Sequence, residues 1–452
     1  MTLKGIIRFL ILLVGYVLLL GGIYLGIVAT FTPGEFIIID TLLMCIFPVF
    51  AIYAFFLYPI IMVAMARLHR TKPGRKWIVP IILGGIVLTF CALPFTGIST
   101  TVTQGESQFA STFGADYMDD IPSNLTSKFQ PIPFDLWRMF NNYEDYECNF
   151  TKDKDYYLMD PISNDKFYFD YYCPTTGAGP FPTIINLHGG AWVLGNKGVP
   201  ENRPMASRYL AQQGYVVLDV QYGLGTFPED PLVNGLLGMV QSLMGRQMLN
   251  RSYTVSEMAV QVVGNLTDYI AGHATDLKID TSRIYVTGES AGAHLTGLFL
   301  GWNKTGTIYK EIFNTTLTLK GLIMFYCPAN VTDLYITHAN DPLSKTVNLG
   351  SFMEKVFGGT PQANKTLFEM LDPVNLTNEY SPPCLILHGE KDMMAPYRDA
   401  VVLKNRLDDN NVTNIMLSFP YQGHAFDFFF NSPGGQVAMY YMERFLAATQ
   451  YC

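Results

Sequence analysis

Ser290 stands between two glycines in Gly288-Glu289-Ser290-Ala291-Gly292. It follows the apolar run Arg283-Ile284-Tyr285-Val286-Thr287 and precedes a helix-forming stretch. A serine on so tight a strand-to-helix turn is lifted clear of the sheet, with a helix N-terminus aimed at it, and its chemistry would be nucleophilic attack on a carbonyl. A serine hydroxyl attacks well only when a histidine takes its proton and a carboxylate holds that histidine's tautomer.

The chain has seven histidines. His69 lies among basic residues between two long apolar segments, and His188 belongs to a glycine turn. His294 is one helical turn past Ser290. His273 and His338 sit in polar stretches with no strand directly before them, and His388, ending Cys384-Leu385-Ile386-Leu387, is expected to be buried or to order a loop. His424 remains, after the last strand-like run Asn414–Phe419 and within Gly423-His424-Ala425-Phe426-Asp427. The carboxylate chosen is Asp392, in the loop Gly389-Glu390-Lys391-Asp392 ahead of a helix that Pro396 would start well. Glu390 is the reserve and Asp427 the third choice. The order serine, aspartate, histidine across successive strands favours Asp392.

The strands must bring these groups to one edge. Thr183-Ile184-Ile185-Asn186-Leu187 reads as a strand running into His188-Gly189-Gly190-Ala191-Trp192. Two glycines there let backbone N–H groups turn toward the point where an oxyanion would form.

With these motifs, residues 150–450 resemble the α/β-hydrolases of the hormone-sensitive-lipase, arylacetamide-deacetylase and prenylcysteine-methylesterase-like type. The resemblance implies an α/β fold, a mostly parallel sheet with helices on both faces. It implies Ser290 as nucleophile, Asp392 and His424 as its partners, and the N–H groups of Gly189, Gly190 and Ala291 as an oxyanion hole. Lipase-type members usually carry a third glycine where this chain has Ala191-Trp192, as methylesterase-like relatives do.

Ahead of this domain, residues 9–31, 41–66 and 77–97 are apolar and long enough to cross a bilayer, which takes roughly 20 residues. Arg67, Arg70, Lys72, Arg75 and Lys76 cluster between the second and third, Lys4 and Arg8 precede the first, and the first connection has no Lys or Arg. The charge bias predicts a cytosolic N-terminus and a luminal or exterior hydrolase domain, and the sequons that follow place it in the secretory pathway, at the endoplasmic reticulum or cell surface. Sequons at Asn124, Asn149, Asn250, Asn265, Asn303, Asn314, Asn330, Asn364, Asn375 and Asn411 all follow the third segment, as glycosylation on that side requires.

Cys45 and Cys91 lie in the apolar segments. Residues 153–159 and 166–172 read as a hairpin flanked by Cys148 and Cys173, so a bridge between those two is expected. Cys327 and Cys384 are expected to be buried thiols at opposite sheet ends, and Cys452 to be unpaired or paired between chains.

Hydrophobic residues at 49% and charged residues at 15% suit a membrane part (1–97), a linker (98–147) expected to pack across the hydrolase mouth, and one large domain (148–452). A net charge of −8 argues against nucleic-acid partners. No metal-ligand cluster or phosphate loop is visible, and no cofactor is expected. The partners expected are a small-molecule or lipid ester and the bilayer.

Residues 255–275 suit the helix before the elbow strand. Within 229–254, Leu236, Leu237 and Met239 recur at near-helical spacing, as a core helix or as a lid over an acyl or prenyl chain. The reading is a membrane-anchored serine ester hydrolase. A silent hydrolase fold used for adhesion or assembly, and an amidase or peptidase with the same side chains, are the alternatives.

Overall fold

The computed structural model describes residues 2–31, 37–70, 74–140, 145–227, 229–340 and 349–452. Lys72 lies outside them, as do the side chains of Cys45, Leu236 and Met239.

Alternating apolar strands and helices build one eight-stranded sheet: β1 (Asn149–Met159), β2 (Lys166–Cys173), β3 (Phe181–Leu187), β4 (Val216–Val220), β5 (Ile279–Glu289), β6 (Leu319–Phe325), β7 (Cys384–Gly389) and β8 (Asn414–Phe419). Their order across the sheet is β1-β2-β4-β3-β5-β6-β7-β8. The β1–β2 and β2–β4 pairs are antiparallel, and β4 through β8 run parallel. The central strands β4 and β7 are buried at every residue, as parallel strands covered on both faces must be. Helices supply the cover, and a separate apolar core forms on each face. This is the α/β-hydrolase architecture.

Three long apolar helices precede the sheet: α1 (Leu3–Phe31), α2 (Ile37–Arg70) and α3 (Ile78–Phe113). Each contains a stretch long and apolar enough to cross a membrane, at Leu3–Val28, Ala51–Arg70 and Ile78–Phe113. They pack through small residues. A side chain on Gly26 would strike Phe90, and one on Gly84 would strike Met62, so glycine is what lets the helices approach.

The third helix departs from the sequence expectation. It does not end near residue 97 but continues to Phe113, so residues 98–113 are not linker. Its polar continuation covers the open edge of β8. Thr101 Oγ1 donates to Ser418 O (2.7 Å), Gln104 Oε1 accepts from Ser418 N (2.9 Å), and Gln108 both accepts from Met416 N (3.0 Å) and donates to Met416 O (2.7 Å). Positions 101, 104 and 108 share one helix face, and together they occupy strand groups that would otherwise recruit another chain. Farther along the expected linker, Gln130 and Asp135 tie to the long C-terminal helix Pro433–Tyr451. There Gln130 N donates to Glu443 Oε1 and Asp135 N to Gln436 Oε1, both at 2.8 Å.

The bridge expected between Cys148 and Cys173 is not formed, and both thiols are free. Register gives the reason. Asn149 pairs directly with Cys173, so Cys148, one residue earlier, points to the other sheet face. Cys173 joins the core on one face and Cys148 packs against the core on the other. Cys327 and Cys384 are buried free thiols, and Cys452 is free and exposed.

Residues 231–244 are a helix, Pro231–Met244. Among its described side chains, Leu237 packs against the main core and Pro231, Asn234, Gly235 and Gly238 are exposed. Among the sequons, Asn124, Asn149, Asn250, Asn364, Asn375 and Asn411 are exposed and Asn265, Asn303, Asn314 and Asn330 half-buried.

Candidate active site

The turn after β5 holds Ser290 at φ 53° and ψ −118°, a conformation few non-glycine residues adopt. Its neighbours must be glycine for want of space. A side chain on Gly292 would run into the carbonyl oxygens of Leu187 and His188, and one on Gly288 into the Gly292 carbonyl. Ser290 N donates to Phe325 O (3.0 Å), which fixes the turn against β6, and the helix Ala291–Leu298 starts directly behind the hydroxyl.

The loop after β8 brings His424 to this turn, and the loop after β7 brings Asp392. His424 Nε2 lies 2.9 Å from Ser290 Oγ, and His424 Nδ1 lies 2.7 Å from Asp392 Oδ2. Asp392 is fully buried. Its other oxygen, Oδ1, accepts the N–H groups of Met394 and Ala395, each at 2.9 Å. Burial alone would raise this carboxyl. Its electrostatic interaction with His424 and the hydrogen bond from His388 outweigh it and hold the group well below the usual carboxylate range. His388 is buried, donates to Ala395 O (2.8 Å) and orders the acid loop. Of the three carboxylates considered, the structure brings Asp392 to His424. Glu390 is exposed, and Asp427 Oδ1 instead accepts the Tyr326 hydroxyl at 2.8 Å.

The glycine turn after β3 lies alongside. A Cβ on Gly189 would sit 3.4 Å from Ser290 Cβ, so this backbone abuts the serine. Gly190, Ala191 and Trp192 all have positive φ, at 125°, 49° and 61°. Among the described residues, no protein group accepts the N–H of Gly189, Gly190 or Ala291. Three free donors beside a serine can hold a negative oxygen. His188 is buried, stacked on Tyr222 (ring centroids 4.2 Å), and pushed down to about 3 by burial and by Arg203, so it stays neutral there.

Two features escaped sequence reasoning. Trp192, in the Ala191-Trp192 pair that stands where lipase-type members carry a third glycine, is buried and donates its indole N–H to His294 Nδ1 (3.3 Å), and His294 contacts Leu371 O (2.7 Å). The one-turn spacing of His294 from Ser290 was the available signal. The second is a buried charge cluster behind the elbow. Arg203 contacts Asp219 (2.5 Å) and Glu289 (3.6 Å), and Asp427 lies near enough to affect Glu289.

Burial, helped by Asp427 and Asp219 and opposed by Arg203, pushes Glu289 up to about 8. A carboxyl raised on folding keeps a proton that the unfolded chain releases near pH 4.3, so it costs stability increasingly as pH rises from there toward 8. Glu289→Gln is therefore expected to narrow the fall in melting temperature between pH 5 and pH 8. An unchanged fall in a thermal scan of the detergent-solubilised protein would rule this out.

No group of three metal-binding side chains occurs among the described residues. The sequence matches the BD-FAE family over residues 169–231 and 251–407. It is 23% identical over 248 residues to esterase LipQ of Mycobacterium tuberculosis, covering 54% of this chain and 50% of that protein. To the isoprenylcysteine alpha-carbonyl methylesterase ICME of Arabidopsis thaliana it is 22% identical over 268 residues, covering 58% and 55%. The chain thus spans about half the length of these curated relatives. Esterase B from Lactobacillus rhamnosis superposes with a TM-score of 0.51 at 18% identity, covering 70% of this chain and 91% of that one, which shows a shared fold.

Proposed function

From the premise that the chain is an α/β-hydrolase related to the BD-FAE, Lip and isoprenylcysteine-methylesterase proteins, we propose that it hydrolyses carboxylic esters by two-step acyl transfer at a membrane. One observation carries this reading: the unbroken contact from Ser290 Oγ through His424 to Asp392, at 2.9 and 2.7 Å.

Ser290 attacks the ester carbonyl as its proton passes to His424 Nε2. Asp392 steadies the imidazolium, and the N–H groups of Gly189, Gly190 and Ala291 hold the tetrahedral oxyanion. His424 then protonates the departing alcohol. Water, losing its proton to the same nitrogen, attacks the acyl-serine, and collapse of the second tetrahedral intermediate returns the proton to Ser290 and frees the acid.

The topology proposed is cytosolic for the N-terminus and exoplasmic for the hydrolase. Arg8 donates to Leu68 O, which gathers the basic residues of α1 and α2 at one end of the bundle, away from the hydrolase contacts. Glycosylation at the six exposed sequons belongs to the same reading, as all ten lie after the third apolar segment.

The test is labelling of Ser290 by a fluorophosphonate, competed by a panel of acyl esters, prenylcysteine methyl esters and peptide amides. Protection by esters is expected. Protection by amides alone would make the protein an amidase, and no labelling would make it a silent fold.

A further inference from the structure

The membrane helices meet the hydrolase at the carboxyl edge of the sheet. At 1.5 Å per residue, Ile78–Gly97 of α3 crosses about 30 Å, the hydrocarbon thickness, so α3 leaves the bilayer near Gly97. At that level a Cβ on Gly97 would lie 2.6 Å from Pro420 O, in the turn leading to His424. Lys391, next to Asp392, donates to Thr30 O at the end of α1 (3.2 Å), and Tyr53 of α2 packs edge-on against Phe429 of the His424 loop (5.7 Å). Beyond Gly97, α3 climbs β8 backwards, reaching Ser418 before Met416. The edge carrying Ser290, Asp392 and His424 therefore points toward the bilayer.

The second observation is the segment 132–140. Its side chains Ile132, Leu136, Trp137 and Phe140 are exposed, Trp137 by 74%. The backbone that presents them is fixed. Gln436 bonds both Asp135 N (2.8 Å) and Asp135 O (3.1 Å), and Arg138 donates to the Tyr146 hydroxyl (2.6 Å). Phe134 packs near Phe95 of α3 (6.2 Å) and Phe140 edge-on to Phe56 of α2 (5.0 Å), so this apolar strip is continuous with the membrane helices. A tryptophan and a phenylalanine held open to solvent at that level match the aromatic belt of an interface.

We infer that residues 132–140 insert into the bilayer surface beside the catalytic edge, and that the substrate is an amphiphilic ester whose apolar tail stays in that leaflet. The substrate half of this inference rests on the ester-hydrolase reading; the membrane contact does not. The leaflet delivers the ester bond to Ser290 without full extraction of the tail into water, so the strip matters for tailed esters and not for soluble ones.

The test uses the full chain in phosphatidylcholine nanodiscs. Tryptophan emission is read with brominated lipids, the Trp137 part being the difference between wild type and Trp137→Phe. Rates are read on an oleoyl ester held in the disc and on a water-soluble acetyl ester, for wild type and for Leu136→Ser/Trp137→Ser/Phe140→Ser. Quenching of the Trp137 component is expected. So is a fall of about tenfold or more on the oleoyl ester in the triple variant, with the acetyl ester within about twofold. Unquenched Trp137 emission overturns the membrane contact, and an equal fall on both esters overturns the leaflet-delivered substrate. Wild type inert toward both esters would sink the hydrolase reading itself, with quenching still deciding the contact.

Discussion

Ser290→Ala is expected to lower kcat for any ester by about 10⁶-fold, the loss seen when a serine hydrolase is stripped of its nucleophile. It should do so without unfolding the protein. The Ser290 hydroxyl makes a single described contact, to His424, whereas the elbow is held by backbone: Ser290 N to Phe325 O, and His294 N to Ser290 O at 2.9 Å. Alanine keeps the Cβ that already sits at φ 53°, so it adds no strain the wild type lacks. The glycines that admit the close approach of Leu187 and His188 are untouched. The measurements are kcat, thermal melting and fluorophosphonate labelling on one preparation. Activity within about tenfold of wild type in a folded Ser290→Ala protein would end the proposed mechanism.

The site was legible where chemistry and backbone crowding demand the same residue. Gly288 and Gly292 cannot be anything larger, so the motif around Ser290 records a steric fact. Asp392 and His424 could be found because parallel strands deliver their following loops to one edge, here the ends of β7 and β8. What stayed hidden depends on register and long-range pairing. Hydropathy ends α3 near residue 97 because Thr101, Gln104 and Gln108 are polar, yet their polarity serves the edge of β8, more than 300 positions away. Proximity in a hairpin suggested a Cys148–Cys173 bridge, and a one-residue offset in β1 sends the two thiols to opposite faces. The Arg203 cluster joins a helix residue, Arg203, to Asp219 of β4 and Glu289 of β5, which share no local pattern, so no window of sequence could expose it.

Asp392→Asn is expected to cost about 10⁴-fold in kcat while leaving the loop in place. The hydrogen bonds around the carboxylate dictate how an amide would sit. Oδ1 accepts two backbone N–H groups, from Met394 and Ala395, a position only an oxygen can fill. The Asn amide must therefore put its NH₂ where Oδ2 now faces His424 Nδ1 at 2.7 Å. That nitrogen would then accept rather than donate, the imidazole proton would move to Nε2, and Nε2 would point a proton at Ser290 Oγ instead of a lone pair. No base would remain to take the serine proton.

The stability signature follows from the depressed acid. A carboxyl held below its ordinary value contributes stability above about pH 3.9, lost as pH falls through the lower folded value. The Asn variant should therefore melt below wild type at pH 7, by a gap that narrows in strong acid. Glu390→Gln serves as the control. Its exposed side chain lies two residues from Asp392, and its rate is expected within about twofold of wild type. A larger loss in Glu390→Gln than in Asp392→Asn would transfer the acid role to Glu390 and overturn the geometry's assignment.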